Sequence, residues 1–201
     1  MFSLIFFMII TFFLIHKLDE MLGLRVGFSD NKQNRNDFFA EEESEIEETT
    51  VQPLQKKLDE IAAFYPRFER DDFLKKSRAA FEIIFKAYAR GDKRSMKDLV
   101  SARVMEAFSR AIDDRNSREE KLEGNIERFI SSEIIDASTS DESLFITVKF
   151  VTEQSNILRD RDNQIIEGAE DFVENRTDIW TFFRKKSASD NKWFLYELKQ
   201  N

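Results

Sequence analysis

Few side chains in this sequence can do covalent or acid–base chemistry. There is no cysteine and a single histidine, His16. Thiol nucleophiles and thiolate metal sites are therefore excluded, and imidazole acid–base work is excluded from everything after residue 16. No glycine-rich phosphate loop and no metal-ligand spacing occur either, so no cofactor and no metal are expected. What remains is carboxylate chemistry. Asp178, two residues before Trp180 in a stretch with strand alternation, is the acid best placed to enter an apolar pocket. A simpler account makes it an acceptor satisfied at a strand edge or turn, and that account fits the residue type better. The chain therefore reads as a binding protein rather than an enzyme, with no catalytic residue assigned.

Aromatic side chains are the ones in surplus. Of 21 phenylalanines, Phe2, Phe6, Phe7, Phe12 and Phe13 fall in the first fifteen residues. The rest imply an aromatic core or groove instead of a leucine-packed bundle. Phe81, Phe85, Phe150, Trp180, Phe182 and Trp193 are the candidates for lining it.

Helical periodicity comes first along the chain. Leu54, Leu58, Ile61 and Tyr65 recur at helical spacing over 51–65, and Pro66 ends that segment. Asp71 or Asp72 is expected to cap a second helix with the stripe Leu74, Phe81, Ile84, Phe85 and Tyr88, stopped by Gly91. Asp92 caps a short helix carrying Met96, Leu99 and Val100. Ser101 caps another, with Val104, Met105, Phe108 and Ile112 inward. The period then changes to two. Strands are expected over 132–139, 144–154, 156–161, 164–167, 172–184 and 192–199, with a turn at Asp162-Asn163. Helices first and strands afterwards argue α+β, with helices packed on an antiparallel sheet. In the last two strands both faces are apolar: Trp180 and Phe182 against Ile179 and Phe183, then Trp193 and Leu195 against Phe194, Tyr196 and Leu198. A half-covered sheet would show polar residues outside, so the second face is expected to meet the domain's own elements, a partner or lipid.

The N-terminus supplies an address. Residues 1–15 carry no charge and two polar side chains, Ser3 and Thr11. A span needs roughly 20 residues at ~1.5 Å each, and Lys17 can snorkel while Leu18, Met21, Leu22 and Leu24 continue the apolar face. A cleaved signal peptide would want a basic residue before the core and a small-residue site after it, and neither is present. A buried soluble helix is the third reading. The uncleaved anchor is preferred, as one transmembrane helix over residues 1–24. Lys17, Arg25, Lys32 and Arg35 all follow the core, so the positive-inside rule puts the remainder in the cytoplasm, at the face of an inner membrane, or in the matrix of an organelle. Up to Thr50 there are 4 basic and 10 acidic residues, and from Val51 onward 27 and 29. The net charge of −8 thus lies largely in a run, Glu41 to Glu48, read as part of a solvated, disordered linker over 25–50 or as an acidic docking tail. The domain over 51–201 is nearly neutral, which argues against nucleic acid as a partner. Lys75, Lys76, Arg78, Lys86, Arg90, Lys93, Arg94 and Lys97 bias the early helices towards positive charge. They form either a solvated face or a contact with anionic lipid at about 1 kcal/mol each.

Several segments occur together in one order: Leu22-Gly23-Leu24-Arg25-Val26-Gly27, then Phe73-Leu74 with Arg78-Ala79-Ala80-Phe81-Glu82-Ile83-Ile84 running to Gly91-Asp92. Ile146-Thr147-Val148-Lys149-Phe150-Val151, Arg159-Asp160 with Gln164-Ile165-Ile166-Glu167-Gly168, and Thr177-Asp178-Ile179-Trp180-Thr181-Phe182 follow, with Trp193 near the end. This set resembles the bacterial, chiefly alphaproteobacterial, relatives of the mitochondrial inner-membrane translocase scaffold, subunit forty-four. The resemblance implies a cone-like α+β domain of the nuclear transport factor two and cystatin-like kind, with a strongly curved sheet and a large apolar groove. It also implies protein partners from chaperone or translocation machinery. The mitochondrial proteins carry a long chaperone-binding region and a transit peptide, where this sequence has an anchor and a short acidic linker. Membrane tethering and partner binding are what the resemblance carries over, as a non-enzymatic adaptor. A lipid or small apolar ligand in the groove is the alternative.

Overall fold

Helix-forming sequence fills the first half of the described chain and strand-forming sequence the second. The structure, a computed structural model, describes residues 42–170 and 172–200. The helices are α1 (Glu42–Phe64), α2 (Arg70–Arg90), α3 (Lys93–Met96) and α4 (Ala102–Ser117). The strands are β1 (Lys121–Thr139), β2 (Ser143–Arg159), β3 (Ile165–Glu167), β4 (Glu174–Lys185) and β5 (Phe194–Gln200). Among these residues no helix is long and apolar enough to cross a membrane, and the anchor expected over 1–24 lies outside them.

Local sequence accounts for the helix ends. α1 begins ahead of the start expected at 51, at Glu42. For α2 the expected cap is corrected. Glu69 is the N-cap, in extended conformation and without a side-chain cap bond, while Asp71 and Asp72 sit inside the first turn and act through the helix dipole. Gly91 at φ 70° closes α2 in the left-handed region. Asp92 accepts from the Ser95 N–H at 3.2 Å, and Ser101 from the Val104 N–H at 3.3 Å. The segment after α3 is tied to the last strand in both directions: Leu195 N–H donates to the Leu99 carbonyl and Ser101 N–H to the Leu195 carbonyl, each at 2.8 Å.

The sheet is antiparallel in the order β1-β2-β4-β5, with β3 on the far end of β2. Two expected boundaries change. β1 starts at Lys121 instead of 132, and β2 runs unbroken where two strands were expected over 144–154 and 156–161. The 19 residues of β1 pair with residues 144–159 of β2, and the surplus is absorbed at three register shifts, leaving Glu127, Ile130 and Ile135 without a Cα partner. Each extra residue bends and twists the strand, and together they curl the sheet around α2. A further shift in β5 falls between Thr181 and Phe182 of its neighbour. It reverses the alternation, so Leu198 packs on the core rather than on the outer face where strict alternation had put it.

Phe81 of α2 is the hub of the interior. Its ring lies 4.4 Å from Trp180, 4.8 Å from Phe150 and 5.7 Å from Phe129, centroid to centroid. A helix residue thereby touches three strands at once. Truncation to Phe81→Ala should cost about 3–5 kcal/mol in chemical denaturation, while Ile83→Ala on the exposed side of the same helix should stay within about 0.5 kcal/mol.

Candidate functional site

The inner face of the sheet changes character along its length. On β2 the buried series Leu144, Ile146, Val148 and Phe150 gives way to Thr152 and Gln154, and on β4 Phe182 and Trp180 give way to Asp178 and Arg176. Alternation keeps all of these on one side, so apolar packing at one end becomes a polar floor at the other. Gln154 Nε2 donates to Thr152 Oγ1 at 2.7 Å and to Asp178 Oδ2 at 3.2 Å. Burial pushes the Asp178 carboxyl up to about 6, against the opposing pull of the Gln154 hydrogen bond and the Arg176 charge. The Trp180 indole N–H beside it has no hydrogen-bond partner among the described residues.

Past this floor a cavity of about 220 Å³ opens where β1 begins and β2 ends. Tyr88, Leu122, Leu158 and Phe172 supply apolar wall, and Arg115, Arg118, Glu120, Glu167, Glu174 and Arg176 supply charge. Arg115 is buried and donates to the Tyr88 and Ala89 carbonyls at 2.9 and 3.0 Å, at the negative end of α2, with its guanidinium 5.3 Å from the Tyr88 ring centroid. Burial pulls its pKa down and raises that of Tyr88. Arg118 reaches Glu120 at 2.9 Å, and Arg176 reaches Glu174 at 2.6 Å. Each pair leaves one atom buried without a partner, Glu120 Oε2 and Arg176 Nε. Burial also pushes the Glu167 carboxyl up, with Arg176 opposing and Glu174 adding.

Glu167, Gly168 and Phe172 form the lip of this cavity on the side of β3. Phe172 is exposed, and Ile165, Ile166 and Val173, near it in the chain but outside the lining, are exposed too, all four 40–56% accessible within nine residues. Gly168 holds that lip against β2. At φ 82° it occupies backbone space costly for other residues, and a Cβ there would stand 2.0 Å from the Asn156 carbonyl oxygen.

The aromatic candidates from the sequence divide between two places. Phe81, Phe150, Trp180 and Phe182 are buried and Phe85 packs on them, so they form the core beneath the cavity rather than its wall. Trp193 is half-buried. With Phe182, Tyr65 and Phe73 it lines a separate cleft of about 310 Å³ at the opposite end, its ring 5.1 Å from Phe73. Asp178 is buried in the interior, not at a strand edge or turn. Phe2, Phe6, Phe7, Phe12, Phe13 and Lys17 lie outside the described residues. The sequence reading missed the cavity residues Arg115, Leu122, Leu158, Glu167 and Phe172. The alternation of Leu122, Gly124 and Ile126 between polar residues was available as a signal, but the bulge at Glu127 breaks it before Phe129.

Because the folded pKa of Asp178 lies above the unfolded carboxylate value, its contribution is fully present below about pH 4 and is lost as pH rises through about 6. Asp178→Asn should therefore raise stability at pH 7 by about 1–3 kcal/mol and leave it nearly unchanged at pH 4. Urea titrations of both proteins at the two pH values measure this.

Comparison with known proteins places this geometry in context. A Rickettsia prowazekii (strain Madrid E) protein, RP434, is 21% identical over 158 residues, covering 77% of this chain and 64% of the relative's own length. The intermembrane space region of the chloroplast protein ARC6 aligns with a TM-score of 0.46 at 12% identity, covering 67% of this chain and 98% of that one. The Tim44-like domain family model matches residues 54–200, from the last three turns of α1 to the end of β5. On that match, the chain belongs to the Tim44-like domain family.

Proposed function

We propose that this protein is a membrane-tethered, non-enzymatic adaptor whose α+β domain captures a segment of a protein partner at the cavity mouth. The observation that carries the reading is the exposed Phe172 at the mouth of a concave, partly apolar recess, with the exposed Ile165, Ile166 and Val173 close to it in the chain. Single exposed apolar residues are ordinary, whereas four within nine residues of chain, one of them lining a recess, are what a contact surface needs. Family membership supports a scaffold role related to translocation factors. The tether is residues 1–24, with the domain on the cytoplasmic side of an inner membrane and 25–50 as an acidic spacer. Exposed Lys75 and Arg90 on α2 add an attraction for anionic headgroups next to that tether.

A second reading, a lipid or small apolar ligand, is favoured by the same recess. Volume weighs against it. Sites for ligands of that kind usually enclose roughly 300–1,000 Å³, and about 220 Å³ suits one or two inserted side chains better.

The test is a paired substitution. Phe172→Asp and Ile166→Asp lie on exposed positions and should leave the folding free energy within about 0.5 kcal/mol. Recovery of a defined protein partner with the full chain from detergent-solubilised membranes should fall about tenfold or more. Unchanged recovery would refute the cavity lip as the docking surface. For the tether, a reporter fused after Asn201 should be active in the cytoplasm, and periplasmic activity would reverse the orientation.

A further inference from the structure

An open sheet edge offers unpaired backbone groups, and the two outer strands of this sheet each carry a device that stops a further strand. β1 is interrupted by its three register shifts. β5 has a shift at Tyr196 and is bridged at Leu195, whose N–H donates to the Leu99 carbonyl and whose carbonyl accepts from Ser101 N–H. The first stretch of β4 has no such device. The described part of β5 ends at Gln200, opposite Asp178, so no described strand lies beside residues 174–177 on that side. Their pairing with β2 on the other side shows no register shift, and the stretch holds neither proline nor lysine.

Register fixes which backbone groups face out there. Lys186 N–H donates to the Glu142 carbonyl at 2.8 Å, and from that pair the ladder of β2 and β4 runs without a shift to Gln154 opposite Glu174. In an antiparallel ladder alternate residues turn both N–H and C=O to the same neighbour. Glu174 and Arg176 therefore bond β2, and the odd-numbered residues between them face the other way. Leu195 obeys the same count. It lies opposite Phe182, which bonds β2, and turns its own groups away from β4 to Leu99 and Ser101. Asn175 N–H and C=O thus point to the open edge, with no hydrogen-bond partner among the described residues, and its side chain is exposed. Thr177 turns the same way.

We infer that this edge takes a short extended stretch of the partner protein as an added strand, in line with β5. The inference rests on the docking reading above and gives the captured segment its form. Unpaired N–H and C=O groups at alternate residues are complementary to another backbone in extended conformation, which draws affinity from main-chain bonds and selectivity from alternate side chains. Phe172 and Val173, 56% and 47% accessible, lead directly into the stretch, and the side chains of Glu174 and Arg176 within it line the cavity. The residue placed opposite Arg176 stands in a non-hydrogen-bonded pair, Cα atoms about 4.5 Å apart, with its side chain on the cavity side. Main-chain pairing and the cavity thereby act on one segment. A second copy of this chain fits the edge poorly. Its own β5 occupies the same side of β4 from Asp178 onward, so two copies could pair over residues 174–177 alone.

Amide exchange reads such pairing residue by residue. Random peptides of about a dozen residues are selected on the full chain in detergent micelles, and those whose binding Phe172→Asp abolishes are kept as probes. The inference expects the Asn175 amide to exchange freely in the chain alone and about tenfold or more slowly with a probe bound. N-methylation along the probe should weaken binding at every second residue of the paired stretch. Asn175→Pro removes an N–H that β2 does not use, so it should keep the melting curve and weaken probe binding about tenfold. A probe that needs Phe172 yet leaves Asn175 exchange unchanged, or tolerates Asn175→Pro, overturns the added strand and leaves the docking surface standing. A protected Asn175 amide in the chain alone also overturns it, because residues 1–41 or a second copy would then fill the edge. If no probe depends on Phe172, the docking reading fails and this inference with it.

Discussion

A flat antiparallel sheet cannot wrap a helix, and the rest of this structure follows from how β1 is made to bend. Its three extra residues, Glu127, Ile130 and Ile135, shorten the partner strand relative to β1 and force the pair to curl. Only a curled sheet lets Phe81 meet Phe129, Phe150 and Trp180 from one position on α2. The same bulges interrupt a 19-residue edge that would otherwise offer an open template for another strand.

The start of β1 and the end of β2 meet Tyr88 in the last turn of α2 and Ala111 and Arg115 of α4 around the recess. Arg115 binds the last carbonyls of α2, and the carboxylates and arginines around it pair off along the wall. Burying these groups is tolerable because most are satisfied, and on the wall Glu120 Oε2 and Arg176 Nε are the buried atoms left without a partner among the described residues. Those two atoms belong to residues lining the cavity, which also carries the exposed Phe172.

Much of this was legible from residue types alone. The caps at Asp92 and Ser101, the stop at Gly91 and the turn at Asp162-Asn163 follow from local chemistry, with Asn163 at φ 61° as such a turn allows. The change from period 3.6 to period 2 was enough for the α+β class. Bulges defeated the rest, because periodicity assumes an unbroken count. Glu127 hid the first half of β1, and the shift in β5 turned Leu198 inward against the expected alternation. The cavity was not legible because its walls come from α2, α4 and four strands that only curvature brings together. Of the aromatic residues read as groove or core, Phe81, Phe150, Trp180 and Phe182 are buried in the core with Phe85 packed on them, and Trp193 lines the separate cleft at the opposite end.

The central claim is that the cavity lip holds a protein segment, and a photo-crosslinking amino acid placed at Phe172 in intact cells reads it most directly, with Ile83 on the solvent side of α2 as the control position. The account predicts one discrete protein adduct from position 172 that is absent from position 83. Adducts to lipid alone, or equal labelling from both positions, would contradict it.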